Sequence, residues 1–166
     1  MAMSAAPLTL EALAAALPAK ARLIGVDLGT KTIGLALSDV ERRIATPLVT
    51  LTRSQFSRDA QALGEQIRKF EAFALVMGLP LNMDGGEGQR VQSTRAFVRN
   101  LARVDPTPVV FWDERLSTAA VTRAMIGADV SRARRAEVVD KMAAAYILQG
   151  ALDRLANIAA NNPPPA

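Results

Sequence analysis

The stretch Arg22-Leu-Ile-Gly-Val-Asp-Leu-Gly-Thr-Lys-Thr-Ile-Gly-Leu-Ala-Leu-Ser-Asp39 decides how this chain folds. Arg22 to Leu28 and Thr32 to Asp39 are apolar runs of strand length, and Gly29 with Thr30 between them makes a hairpin. Ile44 to Leu51 adds a third strand, whose Pro47 suits an edge because proline cannot donate to a ladder. From here the pattern alternates. Phe56, Ala60, Leu63, Ile67 and Phe70 recur at helical spacing, and Phe73 to Leu79 reads as a strand closed by Pro80. A helix over about Gln89 to Arg103, a strand over Pro108 to Asp113, a helix starting at Ser117 or Thr118, and a long Ala-rich helix from about Arg134 to Asn157 complete the order βββαβαβαα. A meander feeding crossover units predicts an α/β fold, a mixed sheet with helices on both faces.

At 166 residues the chain has the length of one domain, given roughly 100–200 residues per domain. It holds no Cys and no His, which excludes disulfides, thiol nucleophiles, imidazole bases and Cys- or His-ligated zinc. Of the 20 basic residues 16 are Arg, and the net charge is +4; the guanidinium fork suits phosphate oxygens. No apolar run approaches the ~20 residues that cross a bilayer, and residues 1–20 lack the basic start of a secretory signal, so the expectation is a cytoplasmic protein. Residues 1–20 read as an N-terminal extension bearing a short helical pattern, with Thr9 as N-cap and Pro18 as stop. Residues 21–157 form the domain, and the proline-rich end, 158–166, reads as a disordered tail.

Three carboxylates stand out. In the first strand Leu23, Gly25 and Asp27 point one way and Ile24, Val26 and Leu28 the other, so Asp27 occupies a place where a central strand is normally apolar. Such a charge is costly unless it is hydrogen-bonded, paired or metal-bound; capping the Gly29-Thr30 turn is its plain structural alternative. At the end of the last strand Asp113 and Glu114 cannot share a face. If Trp112 packs into one layer, Glu114 lies on the same side and Asp113 opposite, unless fraying reverses the choice. Asp140 shares a helical stripe with Ala143, Ala144, Ile147 and Ala151. Together Asp27, one of the two acids at the end of the last strand and Asp140 make an oxygen cage suited to Mg²⁺ or Mn²⁺, and two such ions can hydrolyse a phosphodiester.

The candidate nucleic-acid contacts are Lys31 in the first turn, Arg115 beside Glu114, and Arg132, Arg134 and Arg135 ahead of Asp140. Arg95, Arg99 and Arg103 form a further basic stripe opposite Val91, Thr94, Phe97, Val98 and Leu101, with solvated surface as the alternative reading. The glycine-rich stretch Leu79 to Gly88 could let a backbone approach closely. Gly25 to Thr32 is not a P-loop, because its spacing is one residue short and a strand, not a helix, follows.

Ile24-Gly-Val-Asp-Leu-Gly-Thr-Lys-Thr-Ile-Gly34, Val76-Met-Gly-Leu-Pro-Leu-Asn-Met-Asp-Gly85, Asp113-Glu-Arg-Leu-Ser-Thr118 and Val139-Asp-Lys-Met-Ala-Ala-Ala145 resemble, in order and spacing, the signatures of the YqgF family. That resemblance spans about residues 20–155. It implies a RuvC-like, ribonuclease H-like sheet with Asp27, Glu114 and Asp140 as the acidic triad, and a nuclease that matures the 5′ end of pre-16S rRNA. The family is also described as resolving Holliday junctions, so structured RNA and branched DNA are both implied partners, with the pre-ribosome as an assembly partner. Two other classes compete: Asp27-x-Gly-Thr also resembles the phosphate loop of actin-like and sugar-kinase ATPases, which close two such domains around a nucleotide, and a non-catalytic RNA-binding factor would need no triad.

Overall fold

The computed structural model describes residues 7–116 and 132–162, with the backbone alone for 132–139. The expected helix at Ser117 or Thr118 lies outside the described residues. Strands β1 (Arg22–Leu28), β2 (Thr32–Ser38), β3 (Ala45–Thr52), β4 (Ala72–Leu79) and β5 (Val109–Asp113) form one sheet in the order β3-β2-β1-β4-β5. The first three are an antiparallel meander, and β4 and β5 run parallel to β1. Pro47 lies on the edge strand, beside the irregularity that shifts the β2–β3 register between Leu35 and Ala36, where a missing donor does least harm.

Among the described residues four α-helices, α1 (Leu10–Ala16), α2 (Phe56–Phe70), α3 (Gln89–Ala102) and α4 (Arg132–Asn161), accompany the sheet, and a 3-10 turn, Glu114–Leu116, follows β5. Side-chain alternation along the strands sorts the core into two layers. Ile24, Val26, Leu35, Leu75 and Met77 pack against Leu63, Ile67, Phe97 and Leu101 of α2 and α3. Leu23, Ala36, Val76, Val110 and Trp112 pack against Ala143, Ala144, Ile147, Leu148 and Ala151 of α4. Asp27 has the parity of Leu23 and therefore belongs to the α4 layer.

Helices lie near both ends of the described residues, at Leu10–Ala16 and through Asn161. Thr9 caps α1 by accepting from Ala12 N, and Leu13, fully buried, joins the α4 layer. Leu8 N donates to Val109 O at 2.9 Å, so the chain before α1 runs alongside β5. Helix α4 continues to Asn161, into the segment expected to be a disordered tail. Ile158, Ala159 and Ala160 keep helical propensity, and only the approach to Pro163 disfavours the helical backbone.

Candidate active site

The edge of the α4 layer at the C-terminal end of β1 gathers the candidate carboxylates, and missing side chains make the gathering possible. Gly34 stands opposite Asp27 in the β1–β2 ladder. A Cβ at Gly34 would lie 2.1 Å from the carbonyl oxygen of Asp140, so only glycine lets α4 cross β2 at this height. On the other side β4 runs in register with β1 as far as Val26 beside Met77, and the next residue of β4 is Gly78. A Cβ there would lie 2.9 Å from Glu114 Oε1 and 2.5 Å from Ile147 Cδ1. Glu114 thus lies over β4 on the α4 face, the side to which its neighbour Trp112 also packs. Asp27, at 2 % exposure, sits between these two flanking positions.

Asp140 is held from below. Thr32, the first residue of β2, donates its hydroxyl to Asp140 Oδ2, and a Cβ at Gly29 would stand 3.8 Å from the same oxygen. No feature of the sequence around Thr32 signalled this contact, which links residues 108 apart. The glycines were more legible: Gly25, Gly34 and Gly78 all face α4, and a glycine on a buried strand face marks a close approach. Among the described residues no group of three or more acidic side chains is arranged to hold a metal ion. Asp27, Glu114 and Asp140 stand as three carboxylate positions around the end of β1.

Asp113 has a different task. Its carboxylate accepts from Arg115 Nε at 3.0 Å and Nη2 at 2.6 Å and from the Arg115 backbone N at 3.0 Å. These bonds from Arg115 hold its pKa below the ordinary carboxylate value of 3.8. Arg115 also reaches Met83 O at 3.4 Å, so this expected nucleic-acid contact ties the loop after β4 to the end of β5. Lys31 is exposed at the apex of the β1–β2 turn. Arg132, Arg134 and Arg135 lie on the first turn of α4, with side chains outside the described residues; at 1.5 Å rise per residue they are about 12, 9 and 7.5 Å along the axis from Asp140. In the Arg95 stripe, Arg95 pairs with Glu87 and stacks 5.1 Å from the Phe111 ring centroid.

The family model described as "RuvX: Holliday junction resolvase" matches residues 21–154. The chain belongs to the RuvX (YqgF) family. RuvX relatives include a protein of Methylocella silvestris, named "Putative pre-16S rRNA nuclease", 71% identical over 84% of this chain and 87% of that one. A Rhodobacter capsulatus protein of the same name is 59% identical, over 87% of this chain and 91% of its own. Among solved structures, T. thermophilus RuvC in complex with a Holliday junction substrate superposes with a TM-score of 0.51 at 16% identity, covering 82% of this chain and 96% of that one. This likeness extends the RuvX assignment to the fold: the α/β sheet is of the RuvC, ribonuclease H-like type. No helix among the described residues is long and apolar enough to cross a membrane.

Proposed function

We propose that this chain is a divalent-metal-dependent nuclease that trims the 5′ end of pre-16S rRNA during ribosome assembly in the cytoplasm. The observation that carries the reading is the crossing of α4 over Gly34, which sets Asp140 beside buried Asp27 while Glu114 lies over Gly78. A donor set of three carboxylates, in a chain without His or Cys, has the oxygen chemistry that Mg²⁺ and Mn²⁺ prefer. Asp27, Glu114 and Asp140 would hold the metal, which when bound supplies an activated water and stabilises the leaving oxygen of a phosphodiester.

The chain's own residues do the remaining work. Burial keeps Asp27 at the strand end, where bulk water cannot compete for its oxygens. Thr32 orients the Asp140 carboxylate through its hydroxyl. Arg132, Arg134 and Arg135, on the α4 turn leading to Asp140, would neutralise the phosphates of the incoming strand, and Lys31 would meet it over the β1–β2 turn. Arg115, next to Glu114 in the chain, ties Met83 and the loop after β4 to the end of β5.

The relatives' names favour an RNA precursor as substrate, and the family description favours a four-way DNA junction. Incubating the purified protein with Mg²⁺ or Mn²⁺ and either a precursor RNA spanning the 5′ end of 16S rRNA or a four-way junction decides between them. Cleavage of the RNA at the mature terminus is the expected result. Symmetric nicking of the junction with the RNA left intact would transfer the function to DNA, and cleavage of neither would overturn the nuclease reading.

A further inference from the structure

The β1–β2 turn has a second side. On the α4 side Gly29 adjoins Asp140, whereas on the α2–α3 side the same glycine lines a cavity of about 340 Å³. Thr30, Arg53, Gln89, Arg90, Ser93 and Thr94 form its polar wall, and among the described residues no carboxylate lines it. A cavity of this volume lies within the range of small-ligand sites, and its lining is that of an anion site. Arg53 is fixed: Nη1 donates to Gly29 O at 2.7 Å, and its guanidinium lies 5.8 Å from the Phe97 ring centroid. Buried Asp59, 3.9 Å from Arg53 Nε, offsets part of that charge, which leaves Arg90 as the main cation facing solvent. Thr94 turns its hydroxyl to Arg90 O at 2.9 Å, so Thr30 and Ser93 supply the hydroxyl donors.

We infer that this cavity seats a backbone phosphate of the substrate strand, next to the phosphate hydrolysed at the carboxylates. The inference rests on the nuclease reading, since Gly29 both lines the cavity and adjoins Asp140 of the candidate active site. A strand lying across the exposed apex at Thr30 and Lys31 would have one phosphate on each side of the turn. Arginine suits the role because it presents several donors in a fixed fork.

The test uses the full chain and a fluorescein-labelled single-stranded RNA, with anisotropy read over a series of KCl concentrations. Arg90→Ala should flatten the slope of log affinity against log salt by about 0.7, the share of one single-strand phosphate. Ser93→Glu, which puts a carboxylate into the cavity, should weaken binding further. Unchanged affinity and slope in both variants would overturn the proposal. In steady-state cleavage the Arg90→Ala loss should fall on KM, as for a contact made equally in ground and transition states; a loss confined to kcat would contradict it. Inorganic phosphate at constant ionic strength separates a strand phosphate from a free anion. Calorimetric binding of phosphate to the wild type, abolished in Arg90→Ala, with RNA affinity unaffected by that phosphate would assign the cavity to free phosphate and overturn the strand reading, whereas Arg90-dependent displacement of RNA by phosphate is the result expected of a shared seat. The two failures are distinguishable. Cleavage with an unaltered Arg90→Ala slope removes the phosphate seat and keeps the nuclease, whereas an altered slope in a protein that cuts nothing does the reverse.

Discussion

Replacing Gly34 by Ala would push the closing helix off the sheet at the point where the site is assembled. The new Cβ would start 2.1 Å from Asp140 O, 2.3 Å from Asp140 C and 2.8 Å from Lys141 N, all backbone atoms that no rotamer change can move. Even weak C–H···O contacts stand at about 3.3–3.6 Å, so α4 must retreat by roughly 1.2–1.5 Å. Overpacking of this kind costs about 1–3 kcal/mol, which at about 2–4 °C per kcal/mol for a chain of this size lowers Tm by roughly 2–12 °C. The catalytic cost is larger, because displacing a reacting group by about 1 Å can cost on the order of 100-fold. The assay is RNA cleavage at a temperature where circular dichroism shows the variant fully folded. Gly88→Ala is the control, since the nearest atoms to its Cβ stand at an ordinary 3.7 Å. A Gly34→Ala protein with wild-type cleavage and Tm would refute the claim that the crossing of α4 over β2 positions Asp140.

Other outcomes follow from the same contacts. Leu13→Ala should destabilise the protein by about 2–5 kcal/mol in urea unfolding, as for other buried leucines, because α1 is packed into the α4 layer and not a loose extension. The Asp113–Arg115 pair should contribute stability at neutral pH. The folded pKa of Asp113 lies below 3.8, so that contribution is complete above 3.8 and fades as pH falls through the folded value; melting curves of the wild type and Asp113→Asn should converge there. Replacing Arg132, Arg134 and Arg135 together by Ala should flatten the salt dependence of single-stranded RNA binding by about two units, three phosphates at about 0.7 each, with cleavage at saturating RNA retained.

The strands were legible because their signals are local. Alternation alone places Leu23 and Asp27 on one face of β1 and Ile24 and Val26 on the other, and the packed layers divide in this way. The same alternation, continued past Trp112, puts Glu114 on the α4 face, and Asp113 turns to Arg115. What the sequence leaves open depends on contacts between distant segments. A seven-residue amphipathic helix carries no mark of the surface it covers, so the docking of α1 through Leu13 and Leu8 emerges only when β5 and α4 are in place. Thr32 looks like an ordinary first residue of a strand until α4 brings Asp140 to its hydroxyl. Arg53, one basic residue among 20, becomes distinctive only where it clamps Gly29 from across the meander.

The central claim is that Asp27, Glu114 and Asp140 form one metal-binding catalytic unit. Its most direct test is cleavage of the pre-16S RNA by the wild type and by Asp27→Asn, Glu114→Gln and Asp140→Asn, with circular dichroism to confirm folding and Mg²⁺ or Mn²⁺ restored after EDTA treatment. Each substitution removes a ligand charge while nearly preserving side-chain shape, so each variant should fold, bind RNA and fail to cut, and only the wild type should recover activity with added metal. Cleavage at near wild-type rate in any two of the folded variants would contradict the account and place the chemistry elsewhere on the chain.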